Sequence, residues 1–356
     1  MHMFAGTSSP GGFADYFDHI ILPDKAVRRY FLKGPSGSGK STFMKKIKTT
    51  LISGGYSNIE SFYCANDAAS LDAIALPDRG LSMMDATAPH ARDAQIYGAT
   101  DIVIDFGNYV KFDQIKQHED EIKQILRNKK TLRAKAEGYM AALGKVYTAN
   151  VGVYESALIK IPFEALVGRW AALLDDYTQH GFGSNRKLFV SAVTPGGAVC
   201  FAEDVFSDAT VYGICTEGDA GLDAFLKRVQ QEANRRGLDT TSFYNPLAPQ
   251  NLQYLYLPQQ NIAFAPIRGN FAYCGKIAQK IDLGPCLDKK MLMEMKCDME
   301  DCEGLLDIMV DETVQALARC KIFHNRLEEI YAAAMDFSAI NELSDRIAQE
   351  IAFLLS

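Results

Sequence analysis

The stretch Gly34-Pro35-Ser36-Gly37-Ser38-Gly39-Lys40-Ser41-Thr42 decides the reading of this chain. It follows G-x-x-x-x-G-K-[ST], the P-loop (Walker A) pattern. The flanks suit it: Arg29-Tyr30-Phe31-Leu32-Lys33 predicts a short strand before the loop, and Phe43 to Leu51 a helix after it. Each residue type has a physical task. Gly34, Gly37 and Gly39 let the backbone turn tightly and bring N–H groups close to phosphate oxygens, with Pro35, Ser36 and Ser38 completing the cradle. The helix that starts near Lys40 adds the positive end of its dipole. Lys40 is expected to reach the β- and γ-phosphates, and Ser41, backed by Thr42, to place its hydroxyl on Mg²⁺. The expected ligand is a nucleoside triphosphate, ATP with Mg²⁺.

Further along, Leu81-Ser82-Met83-Met84-Asp85 is an apolar run ending in a carboxylate. A buried parallel strand would deliver Asp85 beside the loop as a second magnesium contact. Asp67, Asp72 and Asp105 are its rivals, and Asp101 and Asp105 flank a further apolar run, Ile102-Val103-Ile104. Thr87 and His90 follow Asp85 in the loop where ligands of open α/β sheets bind. His90 is a candidate for sensing the γ-phosphate or orienting water, with a plain surface-loop histidine as the alternative. Arg79 and Arg92 read as solvated arginines. Leu51-Ile52-Ser53-Gly54-Gly55 imitates the signature loop of transporter ATPases but comes too early in the chain, and it reads as the glycine stop of the first helix.

The 356 residues, 48% hydrophobic and 23% charged, suffice for a full core. A net charge of −7 argues against a nucleic-acid groove. There is no long apolar run for a membrane span and no secretion signal at the N-terminus. The eight cysteines form no C-x-x-C pair, so reduced thiols and a cytoplasmic location are expected.

The chain also repeats itself. Ser61-Phe62-Tyr63 recurs as Ser242-Phe243-Tyr244, Leu76-Pro77 as Leu257-Pro258, and Phe43-Met44-Lys45-Lys46-Ile47 as Phe225-Leu226-Lys227-Arg228-Val229. Ser9-Pro10-Gly11-Gly12 resembles Thr194-Pro195-Gly196-Gly197, and Ile104-Asp105-Phe106-Gly107 resembles Ile281-Asp282-Leu283-Gly284. The order is kept throughout, which points to an internal duplication. In the second copy the loop reads Thr216-Glu217-Gly218-Asp219-Ala220-Gly221-Leu222-Asp223. Leu222 stands for Lys40, Asp223 for Ser41, Pro266 for Asp85 and Phe271 for His90. Loss of the cation and gain of carboxylates would repel a triphosphate. The expectation is one competent site and one degenerate copy, the alternative being a different ligand for the second.

The fold class expected is α/β: two duplicated three-layer units with mainly parallel sheets, each followed by a long helical hairpin. The first unit covers residues 1–184 (core 1–111, arm 112–184) and the second residues 185–356 (core 185–287, arm 288–356). In the arms, Ile115, Ile122, Ile125 and Leu126, then Phe163, Leu166, Trp170 and Leu173, recur at helical spacing. Asp336 is placed to cap a last helix bearing Ile340, Leu343, Ile347, Ile351 and Leu354. The charged face from Lys111 to Lys135 is a solvated surface or a protein-partner surface.

Phe4-Ala5-Gly6, the loop Gly34 to Thr42 with Phe43-Met44-Lys45-Lys46-Ile47, Ser70-Leu71-Asp72, Asp85-Ala86-Thr87-Ala88-Pro89-His90 and Ser191-Ala192-Val193-Thr194-Pro195 together resemble a bacterial family of tandem P-loop proteins of unassigned role, usually labelled ATP-binding protein, ATPase or nucleotide kinase-like. The resemblance covers nearly the whole chain and implies ATP binding without naming a substrate. Relatives of that kind often keep the loop in both halves, and this chain departs from them at Leu222 and Asp223. Three activities remain open: ATP hydrolysis coupled to movement of the arms, phosphoryl transfer to a small molecule or nucleotide, and nucleotide sensing with negligible turnover. A kinase should close an arginine-rich lid over the donor, whereas Arg127, Arg133, Arg169 and Arg186 are scattered in sequence.

Overall fold

The computed structural model describes residues 1–355. The first half runs β1 (His2–Met3), β2 (Gly6–Ser9), β3 (Gly12–Asp15), β4 (Arg28–Lys33), α1 (Lys40–Ser53), β5 (Glu60–Cys64), β6 (Asp67–Leu76), β7 (Leu81–Asp85), β8 (Asp101–Asp105), α2 (Phe112–Gln117), α3 (Glu119–Ser156) and α4 (Lys160–Ala171). The second runs β9 (Asn185–Leu188), β10 (Ser191–Thr194), β11 (Gly197–Cys200), α5 (Ala202–Val205), β12 (Thr210–Cys215), α6 (Leu222–Arg235), β13 (Thr240–Asn245), β14 (Ala248–Leu257), β15 (Ile262–Pro266), β16 (Gln279–Asp282), α7 (Lys289–Glu294), α8 (Lys296–Ala333) and α9 (Phe337–Leu355).

The two large sheets have the same plan. The first is ordered β1-β5-β6-β7-β4-β8 and the second β9-β13-β14-β15-β12-β16. In each, the third strand is antiparallel to both neighbours and the other pairings are parallel. Even the bulges coincide, at Phe62/Tyr63 in one sheet and Phe243/Tyr244 in the other. The expected strands Arg29 to Lys33 and Leu81 to Asp85 are β4 and β7, and the run between Asp101 and Asp105 is β8.

Strand alternation decides how the sheets pack. Tyr30 and Leu32 of β4, with Ile74 and Met83, face α1 and α9. Phe31, Phe62, Ala73 and Met84 face the other way, into a core that also holds Val211, Phe243, Tyr254 and Ala263 of the second sheet. Both faces of each sheet are apolar, and the inner faces bury against a shared core that also takes in Phe17, Ile20, Val205 and Phe206. This corrects the expectation of two separate three-layer units: each sheet carries a pair of helices, α1 with α9 or α6 with α4, on its outer face, and the layers run helix, sheet, sheet, helix. Arg186 clamps the halves together, donating to both oxygens of Glu60 at 2.7 and 2.6 Å and to the His19 carbonyl at 2.7 Å.

The arms cross over between the halves. Asp336 caps α9 through its carboxylate, accepting the Ala339 N–H at 3.1 Å. Ile340, Ile347 and Ile351 of α9 then pack on α1, on the outer face of the first sheet. In return Phe163, Val167 and Trp170 of α4 pack against α6 on the second. A cut between residues 184 and 185 therefore separates the sheets but leaves each half without one of its covering helices. Helices α3 and α8, 38 residues each, run about 57 Å and lie antiparallel against one another. Arg326 pairs with Glu121 at 2.6 Å near one end, and the Tyr154 hydroxyl meets Glu303 at 2.9 Å near the other. Among the described residues no helix is long and apolar enough to cross a membrane.

Candidate functional site

The glycine-rich loop joins the C-terminal end of β4 to the N-terminus of α1. Gly37 takes φ +78° and Gly39 φ +89°, which L side chains rarely adopt. At Gly37 space matters as well: a Cβ there would lie 2.3 Å from the backbone oxygen of Glu328 in α8. Lys40 is buried. Its ammonium donates to the carbonyls of Gly34 and Pro35 at 2.8 and 2.9 Å and lies 3.5 Å from both Ser38 Oγ and Asp85 Oδ2. Ser41 Oγ accepts the Leu71 N–H at 2.9 Å, which leaves a lone pair and its proton for another partner.

Asp85 ends β7, paired in register with Leu32 of β4, so the parallel sheet sets it next to the loop. Its Oδ1 accepts the Thr87 N–H at 2.9 Å and lies 3.8 Å from His90 Nε2. Burial pushes the Asp85 carboxyl up, but His90 and then the Lys40 charge outweigh it and hold it below the ordinary range. Burial favours a neutral His90 ring, yet Asp85 and Asp72 prevail and raise it. His90 is buried, stacked on Phe17 with centroids 4.9 Å apart, and neither ring nitrogen has a hydrogen-bond partner.

Of the rival carboxylates, Asp72 belongs to this cluster. It is buried on β6, and desolvation pushes it up to about 6, with the Asp85 charge adding and His90 and Lys40 offsetting. Asp67 ion-pairs with Lys321 of α8 at 2.7 Å. Asp105, in register with Lys33 just before the loop, is exposed, accepts the Gly107 N–H and stands outside this cluster.

Around the loop opens a cavity of about 950 Å³. Its floor is the loop from Ser36 onward with Asp72, Asp85, Thr87 and His90, and its roof comes from both arms. Helix α3 supplies Lys129 and Arg133, α8 supplies Cys320, Lys321, His324 and Glu328, and α9 supplies Phe337, Asn341 and Ser344. Apart from Arg133, the sequence reading missed these residues because they carry no motif. Their one signal was helical spacing, with Leu317, Cys320, Lys321, His324 and Glu328 along one face of a single helix. Arg133 is not scattered in space. Arg186 is the clamp already described, and Arg127 and Arg169 do not line the cavity.

The second loop shares two left-handed positions with the first, at Asp219 and Gly221, but is filled from within. Asp219 holds φ +59°, where Gly37 has +78°. Its carboxylate accepts the Tyr147 hydroxyl at 2.7 Å, and Tyr147 in turn accepts from Asn245 at 2.8 Å. Glu155 of α3 accepts the Gly221 N–H at 2.9 Å, so a protein carboxylate stands at the N-terminus of α6. The Tyr154 ring lies against Gly218. Asp223 does not cap its own helix, as its position invites, but accepts the Leu252 N–H at 2.7 Å, the bond Ser41 makes to Leu71, and pairs with Lys227 at 2.8 Å. Leu222, Pro266 and Phe271 are buried. Compared with protein-family models, with curated proteins and with solved structures, the chain matches none.

Proposed function

We propose that the first half binds Mg-ATP at the loop Gly34 to Thr42, that the two halves are copies of one P-loop unit, and that the second has lost its nucleotide. The observation that carries this reading is the convergence of the loop, Lys40 and Asp85 on the floor of one cavity. Lys40 releases the Gly34 and Pro35 carbonyls and turns its charge to the β- and γ-phosphates, while the loop N–H groups and the α1 dipole hold the oxygens. Magnesium fits the donors present. A carboxylate at Asp85 and a hydroxyl at Ser41 are oxygen donors of the kind that hold magnesium together with phosphates and water. Asp85 and Ser41 would hold it, and bound there it would neutralise phosphate charge. His90, raised and next to Asp85, is placed to hold a proton or orient the attacking oxygen.

Hydrolysis coupled to the arms is the leading reaction, because α8 lies directly over the loop at Gly37. Phosphoryl transfer to a small molecule is the second reading, favoured by Lys129, Arg133 and Lys321 on the roof. Lys40→Ala should lower Mg-ATP affinity at least about a hundredfold, the order expected for a charge-assisted contact to phosphate of 1.5–3 kcal/mol together with lost orientation, with the fold intact by circular dichroism. Equal affinity in both proteins by calorimetry would overturn the assignment.

A further inference from the structure

Three cationic side chains, Lys129, Arg133 and Lys321, line the roof of the cavity alongside the carboxylates Glu328 and Glu329. Arg133 is held by Glu137 on the same helix at 2.8 Å, and Lys321 by Asp67 at 2.7 Å. Lys129 differs. It is half-buried between the two long helices, and its ammonium has no carboxylate within ion-pair distance among the described residues. Its partner is the Nδ1 of His324, 2.8 Å away, and His324 Nε2 in turn lies 3.4 Å from Glu328. Burial holds the Lys129 ammonium below its ordinary range, so a charge kept there is costly without an anion. The buried His90, whose ring nitrogens make no hydrogen bond and whose Nε2 lies 3.8 Å from Asp85, also lines the cavity. A half-buried cation with no carboxylate at ion-pair distance on the wall of a cavity is what a bound anion would satisfy.

We infer that the roof is a second anion site, separate from the glycine-rich loop, in which Lys129, Arg133 and Lys321 take the phosphate group of a phosphate monoester held in the same cavity as the nucleotide. The inference deepens the nucleotide reading, since it supplies the class of second ligand, but the site itself does not depend on the loop. The cations come from both arms, Lys129 and Arg133 from α3 and Lys321 from α8, so the site exists only while the two long helices are paired. Three cationic side chains lining one cavity suit a dianion such as phosphate better than a single carboxylate. At about 950 Å³ the cavity lies at the upper end of the range of small-molecule sites, which leaves room for two ligands side by side.

The probe is inorganic phosphate, followed by ³¹P NMR and calorimetry on the full chain. In protein saturated with Mg²⁺ and a non-hydrolysable ATP analogue, phosphate should bind one further site. Lys129→Gln and, as a second variant, Arg133→Gln should weaken that binding at least about tenfold while changing analogue affinity less than about twofold. Phosphate should also bind Lys40→Ala, whose loop is disabled, and that arm holds even if the nucleotide reading fails. Analogue affinity falling in step with phosphate affinity in both variants would show that the roof serves the terminal phosphate of the nucleotide. That result, or no phosphate binding to either loaded wild type or Lys40→Ala, would overturn the inference.

Discussion

At the scale of single residues, the site is a set of charges that hold one another in place. Asp85 stays anionic because His90 and Lys40 outweigh its burial, whereas Asp72 on the neighbouring strand is pushed up to about 6 from an ordinary 3.8. A carboxyl raised on folding costs nothing while it is protonated in both states, below about 3.8, and the penalty grows as pH rises through about 6. Asp72→Asn should therefore stabilise the protein at pH 7.5 by on the order of 2 kcal/mol and much less at pH 4.5. Thermal unfolding of both proteins across that window measures it, and a difference independent of pH would show that Asp72 carries no such strain. The loop was legible in the sequence because its chemistry requires fixed residue types at fixed spacing. Asp72 was named only as a rival to Asp85, since its role comes from burial on β6 and not from any spacing.

At the scale of elements, strands and helices followed from periodicity, and β4, β7, β8 and α9 fall where their apolar patterns place them. What periodicity could not show is which surface each stripe covers. The face of α9 reads the same whether it packs on the second sheet or, as it does, on α1 of the first half. The roof residues were hidden for the same reason. Two loop glycines test the crossing directly. A Cβ at Gly37 meets α8 at the Glu328 oxygen, and one at Gly218 meets the Tyr154 ring of α3. Both also hold positive φ, +78° and +53°. Gly37→Ala and Gly218→Ala should each destabilise the fold by at least about 1 kcal/mol through backbone strain and displaced helices. Only Gly37→Ala should weaken binding of the ATP analogue. Equal loss of affinity in the two variants would contradict the assignment of the site to the first loop.

At the scale of the whole molecule, two sheets of one plan share an inner core, and the outer face of each is covered in part by a helix from the arm of the other half. The repeat was visible in sequence, but shared burial was not, because an apolar inner face looks alike whether helices or a second sheet cover it. The likeness of the two halves ends at the loops. Around the first loop the arms leave a cavity, and at the second they bring Glu155 to the N-terminus of α6 and Tyr147 to Asp219. A protein carboxylate already stands where a phosphate would bind, and Leu222 offers no cation to attract one. The central claim is thus a single nucleotide site per chain. Equilibrium binding of a non-hydrolysable ATP analogue with Mg²⁺ should give a stoichiometry near one, falling to near zero in Lys40→Ala. A stoichiometry near two, with one site surviving that substitution, would contradict the account.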